Sequence, residues 1–444
     1  MTPLIIHIIC AILWIIIGTS RSKIHPLVCL TIASVWVGMA AGLDFLQSLE
    51  EFTKGFGGLI GQIGLIIILG CVLGVLLEKS QAAFVLAQLI WNALGKKIPA
   101  LSTSFMGYLV GIPVFCDSGF ILLNPIGQNL SKTSGISPLT FSLSLAGGLY
   151  LSHILIPPTP GPLAVAGIFQ LEQQLGLILL MGLIISIPVF AVVAWWANRF
   201  KRTLPELVTV KTGTEHINKT HHSPWIPSMV ILLPLLLITL GNFSRFVAQE
   251  QLFQLMQVVG NPIVAISIGL TLGLFALKDE TGKRMAGTAF KEGIAAAGPI
   301  LILTGAGAGF GAILRQTNLE RVFQNLEVVE GSGDVFWIFV AFGLAAFLKT
   351  AQGSSTSAMI ISASIMLSII PEALTGHHLY MTLLISSIGA GAMAVSHAND
   401  SYFWIIKEFT GLSVKEALRS FSALSALMAA TALLTILLIY WIVV

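Results

Sequence analysis

Charge is what this chain has least of. Only 10 % of its 444 residues are Asp, Glu, Lys or Arg, against about one-quarter in a soluble domain. With 55 % hydrophobic residues and a mean hydropathy of +0.91, that scarcity excludes a soluble globular fold. Hydrophilic sequence is short as well: the longest stretch, about 198–224, cannot hold a soluble domain. The net charge is +3 and no basic stripe or nucleic-acid motif occurs, so nucleic acid is not a partner. The four cysteines, Cys10, Cys29, Cys71 and Cys116, lie in or beside apolar segments without pairing or metal-ligand spacing. They read as small packing residues and leave the redox compartment open. The run Gly305, Gly307, Gly309, Gly311 lacks the Gly-Lys-Ser/Thr of a phosphate loop. It sits in an apolar span, where glycines let helices approach closely.

What is present is a series of long apolar runs at 4–18, 26–43, 58–77, 172–197, 225–242, 259–277 and 420–444. A membrane crossing needs about 20 such residues, so the chain reads as an all-α polytopic membrane protein. Residues 4–17 lack the basic flank and small-residue cleavage site of a signal peptide, so a retained first helix is expected. Basic residues set the orientation. Arg21 and Lys23, Lys96 and Lys97, Arg199 to Lys219, and Lys278 to Lys291 mark cytoplasmic loops, which puts the N-terminus outside. Arg315 and Arg321 then fall outside, against that rule.

Two short strings repeat. Residues 146–153 read AGGLYLSH and 390–397 read AGAMAVSH, each an apolar helix ending in Ser-His before a break. Residues 74–89 also align without gaps to 311–326. The loop charges make span 58–78 run inward and its partner 292–314 outward, so two inverted-topology repeats are expected, as in many secondary transporters. An N-terminal half, 1–197, would contain a re-entrant hairpin at about 99–131 and a broken transmembrane helix at about 137–171. The cytoplasmic loop 198–224 would follow. A C-terminal half, 225–444, would contain a hairpin at about 335–370 and a broken helix at about 377–411. Arg315 and Arg321 would be accommodated by an interfacial helix at 318–328.

Hairpin tips and helix breaks collect the polar residues. The first half offers Asp117, Ser118, Gly119 and Asn124, then Ser152, His153, Thr159 and Gly161. The second offers Lys349, Gln352, Gly353, Ser354, Ser355 and Thr356, then Ser396, His397, Asn399, Asp400 and Ser401. A half-helix that starts inside a membrane presents unpaired N–H groups and partial positive charge, a ready seat for a carboxylate. Ionisable groups at that depth are costly and usually functional. Asp117, Asp400, His153 and His397 are candidates to carry a coupling proton. Lys349 is expected as their charge partner, with a purely structural pair to one aspartate as the alternative. A metal site built from the two histidines and two aspartates lacks local ligand spacing.

In these segments the chain resembles the gluconate:proton symporter (GntP-type) family of the ion-transporter superfamily. The resemblance rests on GFGGLIGQIGLIIILGCVLGVLLEKSQAA (55–83), PVFCDSGFILLNPI (113–126), HILIPPTPGPLA (153–164), KTAQGSSTSAM (349–359) and SHANDSYFWIIKEFTG (396–411). It implies import of a sugar-acid anion with a proton, a bacterial inner-membrane location and no cofactor. Members carry gluconate, glycerate, fructuronate or D-serine, and the superfamily suggests a homodimer. The expectation is a non-enzymatic secondary transporter whose partners are a sugar-acid anion, the proton and the lipid bilayer. A sodium-coupled carrier or cation/proton antiporter on the same fold stays open, since carbonyls near Pro158 and Asn399 could hold a cation. An intramembrane enzyme would need a nucleophile–base pattern, and none is found.

Overall fold

The computed structural model describes residues 2–22, 24–80, 82–95, 97–124, 136–200, 225–243, 250–276, 280–317 and 333–443, and every regular element among them is helical. The end of the first expected hairpin (125–131), nearly all of the loop 198–224 and the interfacial helix 318–328 lie outside the described residues. Six helices are long and apolar enough to cross a membrane, or seven with the pair Glu250–Gly260 and Pro262–Phe275. That pair is bent by 66°, so the apolar run 259–277 is not one straight span. Pro262 opens its second helix and cannot donate the hydrogen bond that would continue the first.

In chain order the helices used below are α1 (Thr2–Ser20), α2 (Pro26–Ala40), α3 (Phe45–Lys79), α4 (Ala82–Ile90), α5 (Pro99–Gly111), α6 (116–124), α7 (Pro138–Leu155), α8 (Pro160–Ile168) and α9 (Leu175–Ala197). They continue with α10 (Trp225–Phe243), α11 (Glu250–Gly260), α12 (Pro262–Ala276), α13 (Glu280–Gln316), α14 (Val335–Gln352), α15 (Ser355–Ile369), α16 (His378–Ala392), α17 (Ser401–Thr410) and α18 (Ala423–Val443). Local chemistry sets several starts. Asp44 and Gln47 form a reciprocal capping box at α3. Ser137 caps α7 ahead of Pro138.

The longest helices, α3 and α13, pack against each other along their length. Gln316 reaches Glu51 at 3.3 Å at one end and Lys79 pairs with Glu292 at 3.0 Å at the other, so the two run antiparallel. The glycine run of α13 makes this possible. A Cβ on Gly309 would stand 2.6 Å from the Phe52 ring, and one on Gly305 2.8 Å from Phe56. Gly309→Val is therefore expected to lower the thermal midpoint of the detergent-purified protein, by an overpacking cost of about 1–3 kcal/mol. An unchanged midpoint would contradict this contact.

The halves share a pattern of neighbours. α5 lies along α7 and α14 along α16; α7 packs on α9 and α16 on α18. α14 and α15 are separated by only two residues yet pack on one another, so the chain folds back at Gly353 and Ser354. The broken unit α7–α8 is the most enclosed segment, with 94 % of its apolar window buried. α8 in turn packs on α15, which places the first helix break against the second hairpin.

Candidate functional site

Four interruptions at the expected positions converge around α7 and α15: 112–115 between α5 and α6, 156–159 between α7 and α8, 353–354 between α14 and α15, and 393–400 between α16 and α17. Non-helical backbone at membrane depth needs protein partners, and the last break shows how they are supplied. The Ser396 N–H donates to the Ser425 hydroxyl at 3.1 Å, and the Ser396 carbonyl accepts from the Ser422 hydroxyl, both serines lying on the final membrane segment.

Lys349 and Asp400 form the centre of the second half. The Lys349 side chain is fully buried, and its Nζ donates to Asp400 Oδ2 at 2.6 Å and to the Gly353 carbonyl. The same Oδ2 accepts from the Ser396 hydroxyl at 2.5 Å, while Oδ1 caps α17 by accepting from the Tyr402 N–H at 3.1 Å. Both charges are thus compensated, as burial demands. Gly353 closes α14 at φ +84°, a left-handed conformation suited to glycine. A Cβ there would run into the Asn399 carbonyl. The last turn of α14 also receives the break: His397 Nε2 lies 3.1 Å and Asn399 Nδ2 2.7 Å from the Thr350 carbonyl. An imidazole nitrogen facing a carbonyl must be the protonated one, which sets the His397 tautomer.

Asp117 stands at the start of α6, half-buried, and has no cationic partner among the described residues. The Ser401 hydroxyl donates to its Oδ2 at 3.1 Å and the Cys116 thiol lies 3.5 Å from its Oδ1. Asp117 lies within charge range of both Asp400 and Lys349, as does His153. Among the expected site residues, His153 Nδ1 and both amide atoms of Gln352 are buried without a hydrogen-bond partner in the protein, as are side-chain oxygens of Ser102, Ser104, Ser144, Glu172, Thr304 and Ser362 elsewhere. His153 lines a cavity of about 30 Å³ with Cys71, Pro113, Phe115, Pro158 and Thr159, room for roughly one or two waters.

The other expected residues divide into two groups. Ser354 is exposed and caps α15 through the Ser357 N–H at 3.2 Å, with Ser355 and Thr356 on the same turn. Ser118 lies against the Glu78 carboxylate of α3. Ser152, by contrast, is buried with its hydroxyl bonded to the Leu149 carbonyl at 3.1 Å in its own helix. Thr159 turns back to the Ile156 carbonyl at 2.5 Å. Gly119 and Gly161 serve close packing, against Leu149 and Met359. Asn124 braces α6 between Ser142, at 2.6 Å, and the Phe409 carbonyl, at 3.5 Å. Among the described residues no three His, Cys, Asp or Glu side chains converge as a metal site.

Sequence reasoning overlooked Tyr150. Its hydroxyl lies 2.9 Å from Ser355 Oγ and its ring faces Lys349 Nζ at 5.8 Å, so it ties the first crossing helix to the second hairpin. The available signal was a lone tyrosine inside the small-residue string AGGLYLSH.

The GntP family permease model matches residues 2–442. A gluconate permease of Pseudomonas aeruginosa is 30 % identical over 98 % of this chain and 97 % of its own length. An inner membrane permease of Escherichia coli K12, YgbN, is 31 % identical over 93 % of each chain. Among solved structures, the YdaH transporter of Alcanivorax borkumensis, described as having an unusual topology, superposes with a TM-score of 0.67. It covers 94 % of this chain and 97 % of its own at 16 % identity, a likeness of fold.

Proposed function

Because the chain belongs to the GntP permease family, we propose that this membrane transporter imports a small hydroxylated monocarboxylate of the gluconate type together with protons. The inner membrane of a bacterium is the proposed location, as for the relative from Escherichia coli. The two halves are proposed to sit in inverted orientation, which the antiparallel α3 and α13 support. The carboxylate would be held among the hairpin tips and helix breaks.

The observation that carries this reading is that two of the candidate site residues hold unspent polar atoms. Around Asp400 every donor and acceptor has a partner, yet His153 Nδ1 and the Gln352 amide have none. A buried polar group left unpaired costs about 1–3 kcal/mol, so groups of this kind beside two helix breaks are ready to be paid back by a hydroxylated anion. The exposed start of α15 adds the Ser354 hydroxyl and helix N–H groups of the kind that receive carboxylates. Protonation of the carrier would offset the work of bringing an anion into a cell that is negative inside, about 2.3 kcal/mol per charge per 100 mV.

Uptake of radiolabelled gluconate into proteoliposomes tests the reading. Accumulation should follow an imposed inward proton gradient and persist when choline replaces sodium. Uptake that ignores the proton gradient would remove proton coupling, and uptake that requires sodium would favour the sodium-coupled alternative. His153→Ala and Ser354→Ala are each expected to weaken gluconate affinity by about tenfold or more, the scale of one lost hydrogen bond to a charged group. Ligand-induced thermal stabilisation measures that loss. Wild-type affinity in both variants would be incompatible with the site.

A further inference from the structure

A second cavity lies away from the helix breaks. It measures about 340 Å³ and is walled by α3, by the turn between α8 and α9, and by the meeting of α10, α11 and α12. A volume of this size accommodates a small organic molecule. The fold explains the space. α10 and α11 touch at Gly241 and Gly260, where a Cβ on Gly241 would stand 2.7 Å from the Gly260 Cα. The chain then turns by 66° into α12. The Asn261 side-chain oxygen accepts from the Ile263 N–H at 3.0 Å and fixes that turn. The bend opens a hollow against α3.

The polar side chains lining this hollow are Glu172, Gln62, Gln173, Gln257 and Asn261. Glu172 Oε2 is buried and has no hydrogen-bond partner in the protein. Among the described residues Glu172 is the only charged one that lines the cavity. Gln62 lies at the middle of α3, a depth at which polar side chains face a cavity and not lipid. Arg199, Lys201 and Arg202 follow α9, which puts the Glu172 end of that helix on the outer side of the membrane. None of Asp117, His153, Lys349 and Asp400 lines the hollow, so it is distinct from the site described above.

We propose that this outer cavity binds a small organic cation, a protonated amine that also carries hydroxyl groups. The ammonium donates to Glu172 Oε2, a charge-assisted hydrogen bond that ends the isolation of that oxygen. The carboxamides of Gln62 and Gln173 each offer a donor and an acceptor, the match for a hydroxyl. A sugar-acid anion is repelled here, because the charge it meets has its own sign. A divalent metal ion takes several carboxylates, and no three His, Cys, Asp or Glu side chains converge among the described residues. A bare monovalent ion would leave most of the 340 Å³ empty.

Glucamine, sorbitol and gluconate test this directly. They share one polyol chain and differ at its head, which is an ammonium, a hydroxyl or a carboxylate. Thermal unfolding of the detergent-purified protein in an amine-free buffer reports binding. Glucamine should raise the midpoint in a saturable way, and sorbitol at the same concentration should not. Glu172→Gln should weaken glucamine by at least about tenfold, the scale of one hydrogen bond to a charged group. Gln62→Leu should weaken it by about threefold, and carries the test if Glu172→Gln does not fold. Saturating gluconate should not displace glucamine. The proposal is overturned by an unmoved midpoint with glucamine, by equal stabilisation with sorbitol, or by undiminished affinity in Glu172→Gln. Displacement by gluconate would put the amine at the helix breaks instead, and stabilisation by potassium chloride equal to that by glucamine would make the ligand an inorganic cation. Either result also overturns it.

Discussion

Replacing Lys349 with methionine is expected to destabilise the protein more than any other single change near the site. The side chain is wholly enclosed and pairs with Asp400 at 2.6 Å. Removing the cation alone leaves a buried carboxylate whose remaining donors are the Ser396 hydroxyl and the Tyr402 N–H, at a cost of about 3–5 kcal/mol. Asp400→Asn should be comparably harmful, because it leaves the ammonium with the Gly353 carbonyl and no anion. The double replacement should cost clearly less than the sum of the two, since the penalty of an isolated charge disappears with the pair. Thermal unfolding of the three detergent-purified variants measures this. Additive losses would show that the two residues do not act as a unit.

The second large effect is expected at Gly353. At φ +84° any other residue is strained, by roughly 1–2 kcal/mol for an L side chain. A Cβ would also strike the Asn399 carbonyl, which is backbone and cannot swing away. Gly353→Ala should therefore push the second hairpin tip off the break that it abuts. Uptake into proteoliposomes should fall about a hundredfold, the scale on which displacements of about 1 Å within a site are felt. Near-wild-type uptake would mean that tip and break do not have to meet.

The helix breaks were legible in the sequence because their cause is local. Proline removes a donor, glycine tolerates a left-handed turn, and Asn, Asp and Ser compete for the backbone. Positions 113, 157–162, 353–354 and 396–401 announce themselves in this way. Partnerships were less legible, because a string of residues does not say which face of a helix each one occupies. Ser152 and Ser396 stand in matching Ser-His pairs. One bonds within its own helix and the other holds the Asp400 carboxylate. Ser152 stays inside α7 and satisfies itself with a carbonyl of its own helix, whereas α16 ends at Ala392 and leaves Ser396 in the break, a difference that the matching strings do not show. The choice of Asp400 over Asp117 as the partner of Lys349 was hidden for the same reason.

The joints between these pieces are unequal in strength. The second hairpin tip is fastened to the second break by an ion pair, by the His397 and Asn399 contacts to the Thr350 carbonyl, and by the fit of Gly353 under Asn399. The first hairpin tip is latched to that same break by the Ser401–Asp117 hydrogen bond. A hydrogen bond of this kind is worth about 0.5–1.5 kcal/mol net, or up to about 3 when one partner is charged, which is within reach of thermal motion. The fastened set would have to travel as one piece. A passage that opened there would have to release the Ser401–Asp117 latch together with the Tyr402–Ala146 and Asn124–Phe409 hydrogen bonds that join α17 to the first half.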